Sequence, residues 1–250
     1  MVRISIVMAY HNRREQFLRT LKTIRFFGDP EIIVVDDASD QRIDDLDIKL
    51  IRVEPDDKWW LNPCIAYNIG LSKVTGDVII IQNPECLHTG NILKFCEQLK
   101  DGQMFSFAAY SLDYDLTGQL SPDMYRNLAL NEPQRKQIAH HGWYNHSVFN
   151  PVGLHFCNAY TRADMERIGG FDERYAPVFA RDDDEILART RRAGIDIKIV
   201  DSPFVIHQKH ERSDYVKYRV QRQNAEILYT QHTLKEDFIK PPQNKVYGVL

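Results

Sequence analysis

Short apolar runs alternate along the chain with stretches whose apolar residues recur at helical spacing. Residues 4–8 form a nearly continuous apolar run and residues 31–35 (EIIVV) a second, while Phe17, Leu18, Leu21 and Ile24 between them recur every three to four positions. The opening therefore reads strand, helix, strand, and the lack of a hairpin turn implies parallel strands joined by a crossover helix. Residues 48–53 and 78–81 are the next strand candidates, with a helix over 62–73 that begins near Pro63. Ile92, Leu93, Cys96 and Leu99 mark a further helix ahead of a strand at 105–110. The alternation predicts an α/β fold whose central sheet is mostly parallel and flanked by helices.

In such sheets ligands sit beyond the carboxyl ends of the strands. The segments that follow the first, second and fourth strand candidates are Ala9, Tyr10, His11 and Asn12; Asp36, Asp37, Ala38, Ser39 and Asp40; and Gln82, Asn83, Pro84 and Glu85. Capping or turn formation accounts for any one of them, but all three would converge on one edge. Asp36 and Asp37 read either as helix caps or as acceptors for a ribose or base. Neither GxGxxG nor GxxxxGK[ST] follows the first strand, so a dinucleotide enzyme and a P-loop enzyme both lack their usual phosphate cradle.

Residues 111–157 show no clear period, which suggests a functional loop or short unresolved helices. Trp59, Trp60, Trp143 and Tyr144 each read as core packing or as a platform for a sugar face. A short strand at 158–160, a helix over 162–168 and a Gly169-Gly170 turn follow. Ile186 and Leu187 then begin a helical pattern that ends near Gly194, before strands at 195–200 and 203–206. Asp182, Asp183, Asp184 and Glu185 thus open a helix, where the dipole favours them. Four adjacent carboxylates exceed what capping needs, and a metal, a cationic partner or a substrate hydroxyl would relieve their repulsion. A shielded carboxylate among them would gain the raised pKa of a general base. His207, after the last strand, reads as hydrogen-bonded structure or, with carboxylates, as part of a hard-metal set for Mg²⁺ or Mn²⁺ that the imidazole tilts towards Mn²⁺.

Composition narrows the picture. With 250 residues, 43% hydrophobic and 27% charged, this is an ordinary globular chain. A net charge of −3 gives no global field for polyanions, and the arginines of 189–192 and 212–222 are too dispersed for nucleic acid. The four cysteines form no CxxC pair, which favours reduced thiols over a disulfide framework or zinc site. No apolar run is long enough to span a membrane, and the apolar strand at the amino end leaves no room for a signal peptide, so the expectation is cytoplasmic residence. Residues 1–210 read as one catalytic domain. Residues 211–250 read as a helix over 214–232 and an extended tail that pack on the domain or against a second subunit, giving a homo-oligomer.

Taken in order, SIVMAYHNR, VVDDASD, NIGLSKVTGDVIII, GGFDERY and RDDDE followed by His207 resemble the family 2 nucleotide-sugar glycosyltransferases, over about residues 3–207. That resemblance implies the Rossmann-like GT-A fold, glycan biosynthesis and an inverting transfer of a hexose or N-acetylhexosamine from a UDP-sugar to a carbohydrate or glycoconjugate acceptor. It implies a nucleotide site at Ala9, Tyr10, Asn12, Asp36, Asp37 and Asn83, with Asp36 or Asp37 near the base or ribose. The family's metal-binding DxD falls on Asn83-Pro84-Glu85, a departure in which only Glu85 keeps a carboxylate; Glu85 and His207 are the expected ligands for Mn²⁺ or Mg²⁺. Asp183 corresponds to the catalytic base and Asp182 to the residue that helps hold the acceptor. Gly170 and Phe171 of the GGF turn, with Trp143 and His141, are the acceptor-side candidates. Three rivals stand beside this reading: a non-catalytic nucleotide-sugar or glycan-binding protein on the same fold, a sugar-nucleotide pyrophosphorylase, and a metal phosphoesterase.

Overall fold

The computed structural model describes residues 2–116, 118, 120–211, 216–242 and 244–246. β1 (Ile4–Tyr10), α1 (Arg14–Phe27), β2 (Glu31–Asp37), β3 (Lys49–Val53), α2 (Cys64–Leu71) and β4 (Val78–Gln82) build the first half as the apolar pattern predicts. β1 pairs in parallel with β2 and β4, and β2 with β3. Alternate residues face two apolar layers, because side chains of a strand point to opposite faces. Val7, Val35 and Ile81 meet α2 on one face, and Ile6, Met8 and Ile80 meet α1 on the other. Gly70 explains the glycine of NIGLS: a Cβ there would lie 2.5 Å from Val7 Cγ1, so α2 sits closer to the sheet than a side chain allows.

β5 (Cys86–His88), α3 (Ile92–Cys96), β6 (Gln103–Ser111), α4 (Pro122–Asn131), β7 (Gly142–Asn145), β8 (Cys157–Thr161), α5 (Arg162–Ile168), α6 (Asp182–Arg192), β9 (Asp196–His207) and α7 (Arg219–Leu228) complete the described strands and α-helices. The strand order is β3-β2-β1-β4-β8-β6-β9-β5, with β7 on β6. The parallel expectation describes the first half. β8 runs antiparallel to β4 and β6, and β5 and β7 are antiparallel edges, so the second half is mixed. Two strands expected at 195–200 and 203–206 are one, β9. Pro203 is tolerated because the pairing with β6 shifts register between Phe107 and Ala109, the kind of irregularity where a strand accepts proline.

The aperiodic segment at 111–157 holds α4 and β7. α4 carries a cap that the period hid: Ser121 accepts from the Met124 amide, with Pro122 at the first helical position. After β9, α7 buries Ala225 against the core, and the following chain lies along α5 and α6. Asn244 donates to the carbonyls of Gly169 and Phe171 at 2.9 and 2.7 Å, and Arg192 donates to the Phe238 carbonyl at 2.7 Å. The helix expected over 214–232 starts at Arg219; its residues 214 and 215 lie outside the described residues, as do 243 and 247–250 of the tail. Among the described residues no helix is long and apolar enough to cross a membrane.

Candidate active site

A cleft of about 520 Å³ opens at the carboxyl ends of β1, β2 and β4. Of the residues expected to act, Ala9, Asp37, Asn83, Glu85, Asp182 and Asp183 line it together. Asp37 is pinned on two sides, by Lys58 Nζ at 2.7 Å and by the Trp60 indole N–H at 2.9 Å. Asp36 lies one layer below, fully buried, paired with Arg52 at 2.6 Å and accepting from the Ser39 amide. Asn12 ties the two loops together: its amide donates to Ser39 Oγ at 2.8 Å and its side chain accepts from the Asp40 amide. Tyr10, expected in the nucleotide site, does not line the cleft. It is the last inward residue of β1, wholly buried against Phe17, because strand alternation turns Ala9 to the cleft and Tyr10 to the core.

Glu85 is the hub of a second cluster. Its Oε1 lies 3.3 Å from His207 Nε2, 3.2 Å from His210 Nε2 and 3.1 Å from the Arg13 guanidinium, while its Oε2 is buried without a partner. Burial alone would push this carboxyl up, but the two imidazoles and Arg13 hold it well below the usual carboxylate range. Burial pushes His207 down, so its ring is neutral near pH 7 with a nitrogen lone pair to offer. Glu85, His207 and His210 present ligand atoms within 4.8 Å of one another. The orphaned Oε2 and this one-carboxylate, two-imidazole set fit a divalent transition ion. Asn83 is engaged elsewhere, accepting from the Tyr67 hydroxyl at 3.1 Å.

Across the cleft, Ala180 and Arg181 both adopt φ 72, a left-handed conformation that costs side-chain-bearing residues roughly 1 kcal/mol or more each. This turn ends in α6 and delivers its first two residues to the cleft wall. Asp182 accepts from Asn62 Nδ2 at 3.0 Å and lies 3.1 Å from His155 Nε2. Burial would raise Asp182, but the His155 and Asn62 bonds outweigh it and keep the carboxyl low; the same contact overcomes burial to hold the His155 imidazole up. Asp183 has neither of these partners and accepts instead from the Asp184 amide at 2.9 Å. Burial and the charge of Asp182 beside it push it up to about 6, against the pull of His155. One carboxylate is thus fixed in its ionised form and its neighbour is poised to take up a proton near neutrality.

The acceptor-side candidates divide. Phe171 stacks behind the cleft on Tyr67, with ring centroids 4.9 Å apart, and Gly170 accepts from Arg189 at 2.7 Å; both shape the wall from behind. Asn68 clamps the Phe171 backbone with two bonds of 2.9 Å, so the NIGLS and GGF segments are parts of one joint. Trp143 and His141 do not line the cleft. They belong to a separate cluster with Tyr110 and Phe204, where Trp143 is 2% exposed, because β7 pairs on the far side of β6. Trp60 is likewise buried, and among the tryptophans Trp59 alone is open to solvent. Arg13, Lys58, His155 and His210 were missed. His210 had a signal in its spacing, three residues beyond His207 at a strand exit; His155 had none, since only the fold brings it to Asp182.

Residues 5–150 match the profile of glycosyl transferase family 2. The chain belongs to this family. Residues 157–211 of this family 2 chain also match the profile described as the N-terminal domain of galactosyltransferase. Among solved structures, it is similar to TarS 1-349 from S. aureus, at TM-score 0.57 and 13% identity over 82% of this chain and 60% of that one. A mannosyltransferase from Pyrobaculum calidifontis, PcManGT, solved with GDP-Man and Mn²⁺, gives TM-score 0.54 and 17% identity over 95% and 70%. The catalytic domain of Drosophila beta1,4galactosyltransferase 7, solved with xylobiose, gives TM-score 0.54 and 12% identity over 98% and 83%. At such identities the likeness is one of fold, and it bears out the GT-A architecture. The chain spans about 60% of the TarS fragment it matches. No curated protein sequence matches it.

Proposed function

We propose that this family 2 protein is a metal-dependent inverting glycosyltransferase that moves a hexose or N-acetylhexosamine from a UDP-sugar to a hydroxyl of a glycan or glycoconjugate. The observation that carries the reading is the unequal carboxylate pair at the start of α6, facing Glu85 and its histidines across one cleft. In the proposed reaction Asp183 takes the proton of the acceptor hydroxyl while that oxygen bonds to the anomeric carbon. The bond from that carbon to the diphosphate oxygen breaks on the opposite face, and the nucleoside diphosphate leaves. One base suffices, because the leaving group needs no acid partner of the kind glycosidases use.

Asp182, held by His155 and Asn62, orients the acceptor and keeps its own charge beside the base. Asp37, held between Lys58 and Trp60, meets the ribose or base, and Asp36 with its Arg52 partner braces that loop. His11, Arg13 and Lys58 line the same cleft and offer donors to the diphosphate. Glu85, His207 and His210 would hold the cation, which when bound neutralises diphosphate charge; Mn²⁺ suits two imidazoles better than Mg²⁺. Support for this chemistry comes from PcManGT, solved with GDP-Man and Mn²⁺, and from TarS, solved with UDP and with UDP-GlcNAc.

Calorimetry with UDP, GDP and dTDP in the presence of Mn²⁺, paired with nucleoside diphosphate release from the matching sugar donors, tests the reading. Binding of UDP together with release from one UDP-sugar is expected. Absence of both binding and release across the panel would overturn it.

A further inference from the structure

β8 enters the sheet antiparallel to β4, with Cys157 opposite Gln82, so the residues just ahead of it arrive at the edge where β4 ends. Parallel strands deliver the residues that follow them to this edge, whereas an antiparallel strand delivers those that precede it. His155 reaches the cleft by that route. Its ring packs edge-on against Tyr67 and Phe171, with both centroids 5.3 Å away. Nε2 lies 3.1 Å from Asp182 Oδ2, while Nδ1 is buried without a hydrogen-bond partner among the described residues. An apolar ring would fill this space at less cost, because a buried polar nitrogen left unpaired is unfavourable. The bond to Asp182 and the charge are what the imidazole adds.

Asp182 is held at both oxygens, Oδ1 by Asn62 at 3.0 Å and Oδ2 by His155. Asp183 lies beside it in the same wall. Two carboxylates side by side and away from water ordinarily share one proton, because the first charge repels the second. A cation bonded to one of them removes that obstacle. The other titratable groups near the ring do not supply it. Tyr67 and Cys64 of α2 are kept neutral, since burial pushes both well above their ordinary range. Asp172, beside Phe171, is paired with Arg174 at 2.7 Å, and Glu173 accepts from the Lys245 and Val246 amides. Asp184 pairs with Arg181 at 2.8 Å, and Glu85, on the far side of Tyr67, with Arg13 at 3.1 Å. Lys58 and Arg222 line the cleft too, Lys58 bonded to Asp37 at 2.7 Å. Of the charges that bear most on Asp183, which are Asp182, His155 and Asp184, His155 alone is positive.

We infer that His155 is a positioning residue of the transfer: its imidazolium, bonded to Asp182 Oδ2, keeps that carboxylate from sharing a proton with Asp183 and leaves Asp183 free to take the proton of the acceptor. The inference rests on the transferase reading above and adds to it the group that sets the pH at which the base works. His155 acts through Asp182 and takes no proton from the acceptor itself.

The test is a pH titration of the aspartate carboxyl carbons by NMR on the full chain, in wild type, His155→Gln and His155→Phe, with the Asp183 signal assigned from Asp183→Asn. The glutamine keeps a donor for Asp182 and removes the charge; the phenylalanine keeps the ring packing and removes both. In wild type the Asp183 midpoint is expected near 6. His155→Gln should move it upward by about one pH unit, a tenfold weaker acid, and His155→Phe at least as far. The acidic limb of kcat/KM should move with it, while His155→Gln keeps the wild-type rate above the limb. An unmoved midpoint in either variant, with native amide dispersion, would overturn the inference and leave the ring a packing element. The titration needs no turnover. A protein that releases no nucleoside diphosphate from any donor therefore counts against the transferase reading, and the Asp183 midpoint decides the role of His155 separately.

Discussion

Two cavities of about 520 Å³ each lie at opposite edges of the sheet, and they differ in everything but size. The one at the amino ends of β1, β2 and β4 is lined by charges already neutralised close by. Arg3 pairs with Asp77 in the open, Lys94 with Glu97, and Glu31 accepts from the Ser5 hydroxyl and the Thr75 amide, which hold it low against its burial. The cavity at the carboxyl ends has the opposite chemistry: a buried carboxylate oxygen with no partner at Glu85, a carboxyl raised to about 6 at Asp183, and two left-handed residues ahead of α6. Volume does not mark a site in this molecule. Uncompensated charge and strain do, since a fold keeps such costs only where the surroundings enforce them.

The sharpest way to break the comparison is to remove the base. Asp183→Asn should lower the turnover of nucleoside diphosphate release by about 10³-fold, within the range that general bases contribute, whereas Glu97→Gln at the amino edge should leave turnover unaltered. Comparable losses from both would erase the distinction. Next in size, Glu85→Gln should weaken the calorimetric affinity for Mn²⁺ at least tenfold in the presence of UDP; unchanged affinity would remove Glu85 from the metal set.

The smallest expected effect concerns stability. The folded state raises Asp183 from the ordinary carboxylate range to about 6, so in that pH window the native protein binds the extra proton. Stability from this group is present below the window and is lost as pH rises through it. Above pH 7, Asp183→Asn should therefore be more stable than wild type by about 1–2 kcal/mol in urea melts, cleft water screening part of the full shift. A less stable variant would show that the charge is better compensated than its surroundings suggest.

How far the site could be read in advance follows the same divide between local and long-range causes. Strands β1, β2 and β4 were legible because a covered parallel strand must be apolar throughout, and the loops after them followed from topology. Asp182 and Asp183 were legible as a carboxylate run at a helix start. The mixed second half was not, because antiparallel and parallel buried strands have the same apolar signature. The packing of Trp143 was not legible for a related reason: an aromatic in an aperiodic segment carries no mark of which side of β6 it will pack on. His155 and Arg13 join the site across 27 and 72 residues of chain, to Asp182 and Glu85, and such a pairing is a property of the fold rather than of any local motif.

The central claim is that Asp183 is the base of a sugar transfer, and its most direct test is the pH dependence of kcat/KM for the preferred donor and acceptor in wild type and Asp183→Asn. The account predicts a wild-type rate that falls as pH drops through about 6, where the carboxylate is protonated, and a residual rate in the variant that lacks this limb. A wild-type profile flat through that range, or a variant that keeps the same limb, would contradict it.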